Sequence, residues 1–131
     1  MIYILLNFLP IAAATALGLV IGIVWLRASD ILLPGWKTLA GAALAEFWLA
    51  SILAGALILA PPQAGEWVMA VGSAVVIWIG FVVPVLWVTF MAYEMRTGQT
   101  VSAALHWLAV MVGQACLMQY LGLVAPPGAA A

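Results

Sequence analysis

Four apolar runs, each about twenty residues long, constrain this chain more than any other feature: Leu5 to Leu26, Leu39 to Ala60, Val68 to Ala92 and Val101 to Val124. A bilayer core of about 30 Å is crossed by about 20 apolar residues wound as a helix. Strands of a membrane barrel alternate apolar and polar side chains over about ten positions, whereas these runs are apolar all round. Of the 131 residues, 69% are hydrophobic and 5% charged, and a soluble domain carries about 25% charged residues to cover itself in water. The reading is an all-α membrane protein with one integral domain over residues 1–131: four transmembrane helices in an antiparallel bundle, at about 5–26, 39–60, 68–92 and 101–124. The first run lacks a basic leader and is longer than the apolar core of a secretory signal, so it is expected to be a retained span.

The connections are short and carry the turn chemistry. Arg27 to Lys37 includes Pro34-Gly35, the second connection begins Pro61-Pro62, and the third is Tyr93-Glu94-Met95-Arg96-Thr97-Gly98, with Thr100 as the expected N-cap of the last span. Each is too short to hold a folded domain outside the membrane. Asp30, Glu66 and Glu94 are assigned to connections. The basic residues Arg27, Lys37 and Arg96 all fall on the first and third connections, so the positive-inside rule makes those connections cytoplasmic and places both termini in the periplasm of a bacterial inner membrane. Trp25, Trp36, Trp87 and Trp107 then fall toward the cytoplasmic interface and Trp67 toward the outer one, as lipid anchors do. Three basic residues and a net charge of −1 exclude a nucleic-acid surface.

Helices in lipid associate through close contact at small residues. The first span has Ala14, Gly18 and Gly22 at four-residue spacing; the second offers Ser51 and Gly55, the third Gly72 and Gly80, and the fourth Ala109 and Gly113. The first stripe is expected to pack inside the bundle, with a homodimer as the alternative. Pro84 removes a backbone donor and crowds the carbonyl of Gly80, which predicts a kink in the third span.

Two polar residues stand out inside the spans. Glu46 lies roughly two turns into the second span with small neighbours at Ala42, Ala43 and Ala50, and His106 lies about one and a half turns into the fourth. At similar depth they are expected to be close enough to interact. Three readings of the pair stay open: mutual satisfaction that fixes helix register; a small dimeric proton-coupled transporter with Glu46 as the proton-exchanging carboxylate; and a haem or chlorophyll-type pigment on His106, with Trp107 against the macrocycle. No cofactor is the expectation, and a single histidine and a single cysteine offer no metal set. Asn7, Thr15, Gln114 and Gln119 read as structural glue, with an Asn7–Gln119 hydrogen bond expected to be worth about 0.5–2 kcal/mol. Cys116 reads as a buried, inert residue. No strand seats a phosphate loop, and Ser51 and Ser73 lack an adjacent base, so an enzyme is not expected.

The glycine-bearing first span ending Gly22-Ile23-Val24-Trp25, the following Trp36, Trp78-Ile79-Gly80-Phe81 leading to Pro84, and Tyr93-Glu94-Met95-Arg96 before the last span resemble the DUF1761 family of small bacterial four-helix membrane proteins. The resemblance covers most of the chain and implies a four-helix membrane fold. It brings no activity and no catalytic residues. The reading preferred from sequence is a non-enzymatic inner-membrane protein acting through helix contacts, as an accessory or scaffold subunit of a larger complex with other membrane-protein subunits or a second copy as partner.

Overall fold

In hydrocarbon every backbone N–H and C=O must be paired within the protein, which helices achieve locally. The computed structural model describes residues 2–128 and is all helix and turn over that range. Its elements are α1 (Ile2–Leu6), α2 (Phe8–Ala28), α3 (Trp36–Ile58), a 3-10 turn (Pro62–Ala64), α4 (Glu66–Ile77), a π turn (Trp78–Val82), α5 (Val83–Ala92) and α6 (Thr97–Leu121). Phe8–Ala28, Trp36–Ile58, Glu66–Ala92 and Thr97–Leu121 are each long and apolar enough to cross a bilayer. They pack antiparallel: α2 lies on α3 and α6, α6 also on α3, α4 and α5, and α4 on α3.

The boundaries differ from the sequence expectation for local reasons. The first apolar run is broken at Asn7, because Pro10 has no N–H for the carbonyl of Leu6 and its ring crowds that carbonyl. α3 begins at Trp36 directly after the extended Gly35, so Lys37 lies in its first turn. Glu66 is the first residue of α4 and not part of a connection; the helix N-terminus favours its negative charge. Thr100 is not the N-cap of α6. Arg96 is, its backbone N–H donating to Gln99 Oε1 at 3.2 Å, and Thr100 lies buried in the first turn.

The expected kink ahead of Pro84 takes the form of a wide turn. The N–H of Val83 reaches the carbonyl of Trp78, five residues back, a π geometry typical of a helix interrupted by an inserted residue. Trp78 Nε1 donates to the carbonyl of Ala104 at 2.7 Å and ties this turn to α6.

α2 and α5 end alike. Asp30 (φ 55°) and Glu94 (φ 52°) take the left-handed conformation, and the N–H groups of Ile31 and Met95 close back on the carbonyls of Leu26 and Phe90 at 2.9 Å. These are Schellman closures, which bring the apolar residue after the turn back onto the helix.

The core consists of Ile11 and Ala14 of α2, Ala50, Leu53 and Ala54 of α3, Ala74 of α4, and Met111, Ala115 and Met118 of α6. At the end of the bundle holding the N-terminus, Asn7 makes the principal polar clasp. Its Nδ2 donates to the carbonyls of Tyr3 and Val124, each at 2.8 Å, and its Oδ1 accepts the N–H of Val124 at 2.7 Å. The expected Asn7–Gln119 bond does not form: Gln119 Nε2 instead donates to Glu66 Oε2 at 3.2 Å. Asn7 is taken by backbone groups because the chain after α6 turns back across the start of α2. Replacing Asn7 with Ala strands both backbone groups of Val124 and is expected to cost about 1–3 kcal/mol. Reversible unfolding in mixed micelles measures the loss, and faster carboxypeptidase trimming of the C-terminus reports the released tail.

Candidate functional site

Glu46 is 4% exposed. Its position ten residues into α3 puts it about 15 Å from the start of that helix, near the middle of a bilayer core. Room for its carboxyl comes from α2: a Cβ placed on Gly18 would collide with Glu46 Oε2 and would lie 2.8 Å from Gln114 Nε2. From α6, Gln114 Nε2 donates to Glu46 Oε2 at 3.2 Å. Three spans therefore meet at one carboxyl. Among the described residues Glu46 has no other hydrogen bond and no ion pair; Gln114 Oε1 is buried and unpartnered.

His106 is not the partner of Glu46. Its Nε2 would be 3.6 Å from a Cβ on Gly22, one helical turn from Gly18 along α2, so the two side chains meet α2 about 6 Å apart along its axis. The His106 ring lies between two indoles, with centroids 5.6 Å from Trp25 and 5.3 Å from Trp107. Trp25 Nε1 approaches Ser102 Oγ at 3.4 Å. Trp25 and Trp107 are thus turned onto His106 and half-buried, whereas Trp36, Trp67 and Trp87 are exposed as interfacial anchors are. The unpartnered Nε2 of His106 is sealed against α2. This does not fit axial ligation of a haem or chlorophyll through that atom, which needs open space for a macrocycle.

Glu46 and His106 nevertheless share an open cavity of about 450 Å³, bordered by α2, α3, α6 and the connection after α2. Its walls are apolar: Leu19 and Ile23 of α2, Ala42 and Ala45 of α3, and Trp107 of α6. Ile31, Leu32, Pro34 and Thr38 form the rim at the end bearing Arg27 and Lys37, Ile31 being held there by the Schellman turn. A second cleft of about 580 Å³, lined by Trp25, Phe90, Met95 and Ser102, lies across His106, so the imidazole stands in the wall between the two. Among the described residues no group of three His, Cys, Asp or Glu side chains could hold a metal ion.

The packing residues divide. Ala14 and Gly18 are buried, Gly22 meets His106, a Cβ placed on Gly113 would lie 3.1 Å from Ile21, and Gly55 meets the Tyr3 phenol. Gly72 and Gly80 instead face outward with open space where a Cβ would be, Ala109 and Pro84 are exposed, and Cys116 is half-buried rather than enclosed. Sequence reasoning treated Gly18 as a packing residue and Gln114 as glue. Gln114 lies 68 positions from Glu46, and their meeting depends on helix rotation, which apolar residues on every side leave unmarked.

No family model, curated protein or solved structure matches the chain.

The Gly18 seat and the open Gly80 face have opposite expected responses. Gly18→Ala forces the Glu46 carboxyl aside and should destabilise the bundle by about 1–3 kcal/mol. Gly80→Ala adds a methyl in open space and should be neutral or stabilising by up to about 1 kcal/mol. Parallel unfolding of the two variants in one detergent checks the sign of each.

Proposed function

We propose that this four-span membrane protein is a small, non-enzymatic proton-coupled carrier in which Glu46 is the proton-exchanging group. The observation that carries the reading is a carboxyl with no cationic side chain beside it, placed near mid-membrane on the wall of an open apolar cavity. A charge there is costly unless something neutralises it, so the carboxyl holds a proton when nothing else occupies the site. Gln114 suits both protonation states. As seen, its amide N–H donates to the carboxylate; turned by half a rotation, its Oε1 accepts the proton of the neutral acid. The positive-inside rule points the cavity's rim toward the cytoplasm.

Infrared difference spectroscopy of the reconstituted protein tests this directly. On a step from about pH 6 to about pH 9, a range in which ordinary exposed carboxyls stay ionised, a protonated-carboxyl C=O band should disappear while a carboxylate band grows. Glu46→Gln should remove both changes and leave helix content intact. A wild-type spectrum without that band, or a band unaffected by the substitution, overturns the reading.

A second reading is an accessory or scaffold subunit, and the third span favours it. In that span 6% of the most apolar window is buried, against 22–28% in the others, and its outward face carries Gly72 and Gly80, where another helix can approach closely. The same face would serve a dimeric carrier. In a Cys116→Ser background, a cysteine replacing Gly72 is expected to cross-link within the membrane. A product of twice the chain mass supports a dimer, a product containing another polypeptide supports a subunit role, and absence of any product counts against both.

A further inference from the structure

We infer that the cavity takes a lipophilic ammonium ion, with the cationic head at Glu46 and the apolar body along α3 toward the rim. The inference rests on the proton-exchange reading and adds the class of ligand. The head is assigned by charge. The elements that surround Glu46 hold no cation that could neutralise it: α2 is free of ionisable groups before Arg27, which is exposed at its end; Lys37 is exposed at the start of α3; and α6 contributes Gln114 and, about two turns nearer the rim, His106. α4 and α5 contain no basic residue, and the acidic Glu66 of α4 lies at the opposite end, paired with Gln119. A neutral ligand leaves the carboxyl protonated and gains little from it. An anion meets like charge, or a neutral acid walled by hydrocarbon. A cation alone gains an ion pair in a medium that screens it weakly.

The body is assigned by the walls. From Thr38 at the rim to Glu46 is eight residues of α3, about 12 Å, flanked by Leu19, Ile23, Leu39 and Ala42, with the indole of Trp107 alongside. That path fits an alkyl or aryl group, and an indole face tolerates a cation passing over it. Binding is an exchange. The O–H bond of the Glu46 carboxyl breaks, its proton leaves to water, and the carboxylate accepts a hydrogen bond from the ammonium N–H. One cation enters for one proton released, and no electron moves.

Calorimetry on the full-length protein in lipid nanodiscs, with three probes of equal chain length, provides the test. At neutral pH hexylammonium should bind saturably with one site per chain, at least tenfold tighter than hexanol, and hexanoate should give no saturable heat. Comparing buffers of different ionisation enthalpy should show one proton released per hexylammonium bound. Glu46→Gln should weaken hexylammonium at least tenfold. Ala42→Leu, which fills the cavity and leaves the carboxyl in place, should abolish binding while keeping the pH-dependent infrared band of Glu46. Equal binding of hexanol, undiminished binding to Glu46→Gln, or no saturable hexylammonium heat overturns the inference. If the Glu46 band titrates and hexylammonium does not bind, the ligand class is wrong and proton exchange stands. If hexylammonium binds without releasing a proton, the exchange reading falls.

Discussion

The seat of the Glu46 carboxyl governs how the three best-packed spans sit against one another. A carboxyl in the middle of a bilayer cannot be left facing lipid, so α3 must turn Glu46 inward. The first helix it meets there must then lack a side chain at the point of contact. Gly18 supplies that gap, and Gln114 supplies a donor from the third direction. Rotating any of the three helices by one residue, about 100°, would put a side chain against the carboxyl or remove its donor. The apolar contacts of Ala14, Ala50, Met111 and Ala115 around it are compatible with many rotations, as contacts between alkyl groups in lipid generally are. The polar junction selects one of them.

The third span stands outside this triangle, and its irregularity follows from that position. α4 reaches the core through Ala70 and Ala74, whereas the π turn and α5 have no buried residues. A wide turn in a fully enclosed helix would have to be matched by its neighbours. At the periphery it needs one anchor, which Trp78 provides by bonding to the carbonyl of Ala104. Pro84 is therefore accommodated on the lipid side, where its ring crowds no neighbouring helix. The outward Gly72 and Gly80 belong to the same pattern: the least buried span is the one whose surface is free for another helix.

The parts of this arrangement that were readable in sequence are those set by one-dimensional facts. Four spans follow from four apolar runs, the break at Pro34-Gly35 from turn chemistry, the inward Glu46 from the cost of its charge, and the disturbance near Pro84 from a missing N–H. The parts that were not readable depend on rotation and on the chain ends. Glu46 and His106 share a cavity yet meet α2 about one turn apart, at Gly18 and Gly22. Gln114, two turns beyond His106, is the α6 side chain that reaches the carboxyl. Asn7 found Val124 in place of Gln119 because the tail after Gly122 folds back, and an apolar segment such as Leu123-Val124 carries no mark of that return. Trp25 and Trp107 read as interfacial anchors from their depth alone. Their half-burial against His106 depends on which way each helix faces.

The two ends of the bundle are built differently, and this bears on what the cavity can do. At the end holding the N-terminus, polar side chains tie the spans together: Asn7 to Val124, the Tyr3 hydroxyl to the carbonyl of Ser51 at 3.1 Å, and Gln119 to Glu66. Tyr3 also fills the space beside Gly55. At the other end the connections close on themselves through Schellman turns, which satisfy their own backbone groups and need no bond to a neighbouring span. Ile31 is held in this way at the border of the cavity. The cavity reaches Glu46 from the side of Thr38 and His106, and on its other side the carboxyl is met by Gly18, Gln114 and the packed core beyond them. A carrier with this geometry must loosen the contacts at the closed end to release cargo there. In the proposed carrier the Gly18 and Gln114 contacts with Glu46 would be the ones to change as the carboxyl gained or lost its proton, so protonation and opening would act on the same atoms.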